Sequence, residues 1–305
     1  MDRPKLIFIS GPTAAGKTQL AHTLAREVGA DIINADSMQI YRYMDIGTAK
    51  PTSRERKEVP YHLIDILDPD EDFDASSFRK QALAVIAELQ QRRRPMFFVG
   101  GTGLYLRVLQ RGIFPCPPAD PLIRERLRKT AKEKGPEFLW AGLQVSDPES
   151  ARRIKPKDTF RLVRALEVLE MTGRPISDWQ HWKNEPPSAF DILWIGITRE
   201  REALYRRINE RTEAMMAAGF LGEVRGLLEK GFSPQLKSMQ SLGYRHLVEV
   251  LKGERELSAA VELIKRDTRR YAKRQMTWLR KEDNLHWFSP EKFDTIQKLI
   301  GNFYR

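Results

Sequence analysis

A single cysteine, Cys116, stands in 305 residues, which excludes internal disulfides and any cysteine-rich metal centre and leaves a lone thiol suited to a reducing compartment. The five histidines show no metal-ligand spacing. No apolar run is long enough to span a bilayer, and the run in MDRPKLIFIS is too short for a signal peptide. Internal repeats and low-complexity tracts are also lacking. These absences lead to the expectation of a soluble cytoplasmic protein without a membrane partner, and no exposed heptad suggests anything but a monomer. Acidic residues are in deficit: 52 Lys and Arg face 41 Asp and Glu, a net charge of +11. That excess suits a polyanionic partner, although charge alone reads equally well as a solvated basic surface.

What is present alternates. Leu6-Ile-Phe-Ile9 is a short continuous apolar run, as in a parallel strand buried on both faces. Leu20, Leu24 and Val28 recur at helical spacing, and Gly29 can end that helix. Ile32-Ile33 starts a second strand, Ser76 or Ser77 can cap a helix carrying Phe78, Ala82, Val85, Ile86 and Leu89, and Met96-Phe-Phe-Val99 is a third strand. The alternation predicts a parallel α/β sheet. After Gly112 the stretch PCPPAD interrupts the chain, helices follow to about Pro187, and Asp191–Ile197 returns to strand character. The expected organisation is an α/β core built from residues 1–112 and 189–305, with a helical insertion at 113–188.

Between the first strand and helix, Gly11, Pro12, Thr13, Ala14, Ala15, Gly16, Lys17 and Thr18 fit the phosphate-loop pattern G-x-x-x-x-G-K-[ST] in full. Glycines let backbone N–H groups curl around phosphate oxygens, and the helix N-terminus adds its positive dipole end. Lys17 neutralises charge, and the Thr18 hydroxyl can bind Mg²⁺. An ATPase usually ends a second strand in an acid that holds the metal site. Here Gly100-Gly101-Thr102-Gly103 ends that strand instead, and the first carboxylate after a core strand is Asp36, in NADSMQIY. One acid placed there suits a base acting on an acceptor, hence group transfer rather than nucleotide hydrolysis.

These residues carry a resemblance. GPTAAGKT at 11–18, DSMQIYRYMDIGTAKP at 36–51, HLIDI at 62–66, GGTGLY at 100–105, KDTFRLVRALEV at 157–168, SMQSLGYRHLVEVL at 238–251 and TRRYAKRQMTWLR at 268–280 follow one another as in the tRNA dimethylallyltransferase (IPP transferase) family, which the chain resembles over nearly its whole length. The resemblance implies a P-loop, nucleoside-triphosphate-hydrolase-like fold in which the loop Gly11–Thr18 holds dimethylallyl diphosphate, with Mg²⁺ at Thr18. It also implies a channel that receives tRNA at one end and the diphosphate at the other, the acceptor being N6 of an adenosine beside the anticodon. It assigns catalysis to Asp36 as base, with Thr102 and Arg161 beside the target nucleotide. Contacts to tRNA fall by the same matching on Asp36, Ser37, Met38, Gln39, Thr102, Arg124, Phe160, Arg161, Leu162, Val163 and Arg164. Two departures are visible: Phe160 where a glutamine is expected, which leaves one polar tRNA contact open, and Tyr61 where a histidine is frequent.

Plainer readings stand beside these. Asp36 and Thr102 can serve their turns alone. Arg161 and Arg164 share a helix face and can pair with Asp158 and Glu167. Lys265–Lys281 holds eight Lys or Arg and one acid. On a helix it presents Ile264, Tyr271 and Trp278 as an apolar stripe and Arg266, Arg270 and Arg274 on another face. That face is either solvated or, with Lys273, a contact for RNA phosphates. Competing functions are a P-loop kinase of a small metabolite, an RNA-binding switch that senses a nucleotide, and prenylation of free adenine nucleotides. A kinase has no need of DSMQ, GGTGLY and TRRYAKRQ, a switch would need a base-specifying motif, and a free nucleotide would not call for the basic surface and long insertion.

Overall fold

Leu6–Ile9 lie in the first strand with no exposure to solvent, because each is covered by a neighbouring strand on either side and by helices above and below. The structure, a computed structural model, describes residues 3–113, 117, 119–180 and 189–305. Half of PCPPAD, including Cys116, and the boundary near Pro187 lie outside the described residues. Among the described residues six strands, β1 (Lys5–Ser10), β2 (Asp31–Asn34), β3 (Tyr61–His62), β4 (Met96–Gly100), β5 (Asp191–Ile197) and β6 (Leu285–Phe288), form one sheet in the order β3-β2-β4-β1-β5-β6. All pairs are parallel, with Ile7 opposite Phe97 on one side and Leu193 on the other.

The chain leaves β1 toward one edge through β2 and β3, and later toward the other through β5 and β6. The crevice beside the C-terminal end of β1 is therefore a topological switch point, where ligands of open α/β sheets bind. The period of two along the strands sends Leu6, Phe8, Phe98 and Trp194 into one core layer and Ile7, Ile9, Phe97 and Ile195 into the other.

The chain divides into two compact units, residues 1–110 with 188–305 and residues 111–187. The first unit carries α1 (Lys17–Val28), α2 (Ser53–Glu58), α3 (Ala75–Gln91) and α4 (Gly103–Arg111) between its strands. Asp74, and neither Ser76 nor Ser77, caps α3, its carboxylate accepting the Ser77 N–H at 2.8 Å. Asp accepts well at this position, and placing it there starts the helix at Ala75, so both serines fall inside the first turn. The second unit packs α5 (Pro121–Lys134), α6 (Pro136–Ser146), α7 (Pro148–Arg153), α8 (Thr159–Thr172) and α9 (Ile176–Gln180) around Leu127, Leu143, Leu162 and Val168. The first unit then closes with α10 (Arg201–Ala217), α11 (Phe220–Glu229), α12 (Tyr244–Leu251), α13 (Leu257–Leu279) and α14 (Phe293–Tyr304). No described helix is long and apolar enough to cross a membrane.

Candidate active site

At the end of β1 the chain bends through Ala14 (φ 64°) and Gly16 (φ 100°) into α1. The left-handed conformation at Gly16 favours a residue without a Cβ, and it delivers Lys17 to the first position of the helix. Residues far along the chain hold the loop from outside. Gln275 Oε1 accepts the Thr13 N–H at 2.9 Å, Arg211 donates to the Thr13 hydroxyl at 3.2 Å, and Arg207 and Arg199 donate to the carbonyls of Ala14 at 3.2 Å and Ala15 at 3.1 Å. Four cations, Lys17, Arg199, Arg207 and Arg211, therefore converge on the loop. Withdrawal from solvent lowers the Lys17 pKa from its ordinary 10.5 to about 8, with Asp36 opposing that shift and Arg211 adding to it. Burial likewise lowers Arg211, again opposed by Asp36.

Asp36 follows β2, and Asn34 fixes its backbone twice: the Asn34 side chain accepts the Asp36 N–H and donates to its carbonyl, both at 3.0 Å. One Asp36 oxygen accepts the Met38 N–H at 2.9 Å. The neighbouring turn is tied to the end of β4, where the Thr102 hydroxyl oxygen accepts the Ser37 N–H at 3.0 Å and the hydroxyl donates to Ser37 Oγ at 3.3 Å. The turn readings of Asp36 and Thr102 are thus both realised; Asp36 also lines the crevice, whereas Thr102 lines neither cavity there and meets the site through Ser37.

Two cavities meet at Asp36. One, of about 660 Å³, is lined by Lys17, Thr18, Gln39, Arg207 and Gln275. The other, of about 580 Å³, is lined by Ser37, Met38, Arg245, Asp267, Arg270 and Arg274. Thr13, Asp36, Thr48, Arg211, Met215 and Tyr271 line both, so the shared wall carries one carboxylate, Asp36. Burial, and then Asp36, raises the Tyr271 pKa well above its usual value, so its hydroxyl stays protonated.

The stretch Asp45–Ala49 over these cavities is fastened by Glu223. Its carboxylate accepts the N–H groups of Asp45 at 2.8 Å, Ile46 at 2.6 Å and Gly47 at 3.1 Å, and the Tyr244 hydroxyl at 2.6 Å. A Cβ on Gly47 would lie 2.2 Å from the Phe220 ring, so this close approach requires glycine. Gln39 donates to the carbonyls of Thr48 at 3.1 Å and Ala49 at 3.3 Å.

The phosphate loop, Asp36–Gln39 and Thr102 are thereby brought together in the first unit. Arg124 and Phe160–Arg164 belong to the second. There Glu167, with no exposure, accepts from Arg124 at 2.8 Å, Arg164 at 2.7 Å and the Asp120 N–H at 2.7 Å. The Arg164–Glu167 pairing is thus present, and so is Arg161–Asp158, at 2.8 Å. Leu162 and Val163, at 0% and 4% exposure, are core residues, so their side chains do not face solvent and Phe160, at 76%, is the presented apolar residue of this run. Arg270 pairs with Asp267 at 3.4 Å, and exposed Lys273 lines a separate cavity with Arg280 and Trp287. The stripe on α13 is divided: Ile264 is core, whereas Tyr271 lines both chambers. Tyr61 bonds through its hydroxyl to His22 Nδ1 at 3.2 Å.

Sequence reasoning missed Arg199, Arg207, Arg211, Gln275 and Glu223. The signal for two of them was there: Arg207 and Arg211 recur one helical turn apart on the first helix after a core strand.

The model of the IPP transferase family matches residues 39–282, and that of the Isopentenyl transferase family matches residues 4–71. A protein named tRNA dimethylallyltransferase 2, from Geotalea uraniireducens (strain Rf4), is 48% identical over 99% of this chain and 98% of its own. The full-length tRNA isopentenylpyrophosphate transferase of Bacillus halodurans superposes with a TM-score of 0.74 at 37% identity, covering 99% of this chain and 97% of that one. A eukaryotic dimethylallyltransferase acting on tRNA superposes with a TM-score of 0.80 at 26% identity, covering 99% and 79%. With a match of this extent, running through the phosphate loop, the Asp36 turn and the basic α13, the chain belongs to the IPP transferase family, on a P-loop α/β fold.

Proposed function

We propose that this protein transfers the dimethylallyl group of dimethylallyl diphosphate to N6 of an adenosine beside the anticodon of tRNA, releasing diphosphate. The observation that carries this reading is the single carboxylate, Asp36, in the wall common to a phosphate-binding chamber and an arginine-lined one. The donor's diphosphate lies against Lys17, Arg207, Arg211 and the loop N–H groups. The adenosine leaves its stack and enters from the other chamber. Its N6 lone pair forms a bond to allylic C1 as the C1–O bond breaks, the electron pair of that bond leaves on the diphosphate, and the N6 proton passes to Asp36. The cations around the loop stabilise the charge that accumulates on the leaving group. Thr102 holds the Ser37 turn beside the nucleotide, and Arg161, with Phe160, contacts the RNA from the helical unit.

Among the described residues no cluster of three or more His, Cys, Asp or Glu could hold a metal ion. Mg²⁺ suits this setting, since it keeps waters and takes substrate phosphates as ligands rather than a protein cage. Thr18, lining the first chamber, is the side chain that would hold it, and when bound it would neutralise diphosphate charge.

The test is to mix the protein with Mg²⁺, bulk tRNA and either prenyl-labelled dimethylallyl diphosphate or labelled ATP. Prenyl label entering RNA with equimolar diphosphate release supports the proposal. ATP turnover stimulated by a small metabolite, without prenyl transfer, supports the kinase reading instead.

A further inference from the structure

Asp267, on α13, lies where four basic side chains meet. Arg245 of α12 donates to its Oδ2 at 2.9 Å, Arg266 and Arg270 of α13 reach its Oδ1 at 3.0 Å and 3.4 Å, and His246 Nε2 is 3.3 Å from Oδ2. The Asp267 side chain is 14% exposed, whereas those of the arginines are 44%, 47% and 62% exposed. A guanidinium has five N–H donors, so each arginine keeps most of its donors for solvent or a ligand while the carboxylate fixes its direction. A tie between two helices needs one such pair. Three guanidinium charges against one carboxylate leave the cluster two charges positive, with the histidine neutral. Arg274, one helical turn beyond Arg270, adds a further cation, and Arg245, Asp267, Arg270 and Arg274 all line the second chamber.

We infer that Asp267 gathers Arg245 and Arg270, which line the second chamber, into a binding site there for one RNA backbone phosphate, with Arg266 adding charge on the same carboxylate, so that the phosphodiester flanking the target adenosine is gripped while its base reaches Asp36. Planar guanidinium forks match phosphate oxygens in direction as well as charge, and forks already oriented lose less freedom on binding. The inference rests on the prenyl-transfer reading and adds to it the group on the RNA that is held. It also opposes simple charge counting, by which Asp267 repels RNA and its removal strengthens binding.

The test uses anticodon stem-loops carrying one uncharged methylphosphonate at each linkage near the target adenosine in turn, with the full-length protein. We expect one linkage to lower kcat/KM about 10-fold, the worth of a charge-assisted hydrogen bond, and the same linkage to have little further effect on an Arg245→Ala/Arg270→Ala enzyme. Asp267→Asn should lower kcat/KM on the unmodified stem-loop and blunt the sensitivity to that linkage. Uniform sensitivity at every linkage, or losses that multiply independently of the arginines, would overturn the site. An Asp267→Asn enzyme with a lowered Tm but an unchanged methylphosphonate pattern would overturn the organising role. Absence of prenyl transfer to any unmodified RNA is a different result, and removes the underlying reading as well.

Discussion

Gln275 and Thr13 are joined across most of the chain: the amide oxygen of Gln275 accepts the Thr13 N–H at 2.9 Å, while its amide nitrogen donates to the Gly101 carbonyl at 3.0 Å. One side chain on the basic helix therefore fixes the phosphate loop against the end of β4. Gln275→Glu keeps the shape, loses the donor to Gly101 and sets a negative charge beside the diphosphate site. The expected result is a KM for dimethylallyl diphosphate raised about 10-fold or more, with the KM for tRNA little changed, measured by steady-state transfer. An unchanged donor KM would remove Gln275 from the site.

Lys17 makes donor binding sensitive to pH. Its pKa of about 8 means that the free enzyme loses this charge as pH rises through about 8, so donor affinity should fall over that interval. Bound diphosphate favours the ammonium, so proton uptake should accompany binding there. The linkage to stability has the opposite sign: between about 8 and 10.5 the unfolded chain holds the Lys17 proton more tightly, so this group makes ligand-free stability rise with pH in that window. Calorimetric titration of dimethylallyl diphosphate across the interval checks this, with Lys17→Arg as the variant expected to give a flat profile. A wild-type profile as flat as that of Lys17→Arg would contradict it.

Much of the site is legible in the sequence, and the reason is locality. The phosphate loop needs glycines at fixed spacing within eight residues, and Asp36 closely follows a strand recognisable from Ile32-Ile33. What stays hidden is whatever depends on pairing across the chain. Gln275 and Thr13 are separated by 262 positions and Glu223 and Gly47 by 176, and no local pattern links either pair. The two-residue strand β3 and the edge strand β6 are too short or too mixed to be read from periodicity, and the sheet order follows from crossovers rather than from any one segment. The cap of α3 is not fixed by sequence, because serines and Asp74 all favour the position and only the geometry decides among them.

Arg164 needs its two roles separated. It pairs with buried Glu167, so Arg164→Ala should destabilise the protein by about 1.5–3 kcal/mol, toward the lower end because a quarter of the guanidinium side chain is exposed and Arg124 remains on the same carboxylate. Urea unfolding reads this directly. If transfer by the folded fraction at low temperature is normal, Arg164 acts through the helical unit and not through RNA.

Lys273 is exposed and has no side-chain ion pair among the described residues, so a contact of its ammonium with an RNA phosphate would show in salt dependence. Lys273→Ala should make the slope of log affinity against log salt shallower by about 0.7–0.9, alike for every tRNA. Filter binding over a salt series measures it, and an unchanged slope would make this part of α13 a solvated face.

The proposed role of Asp36, in the wall between the two chambers, is to take the proton from the attacking amine. It is tested most directly by single-turnover prenyl transfer to an anticodon stem-loop with both substrates saturating, comparing wild type with Asp36→Ala and Asp36→Asn. The expected rate is lowered by about 10²–10⁴ in both variants, with stem-loop affinity nearly unchanged. A wild-type rate combined with lost RNA binding would contradict it, and would make Asp36 a residue that holds the tRNA rather than one that takes part in the chemistry.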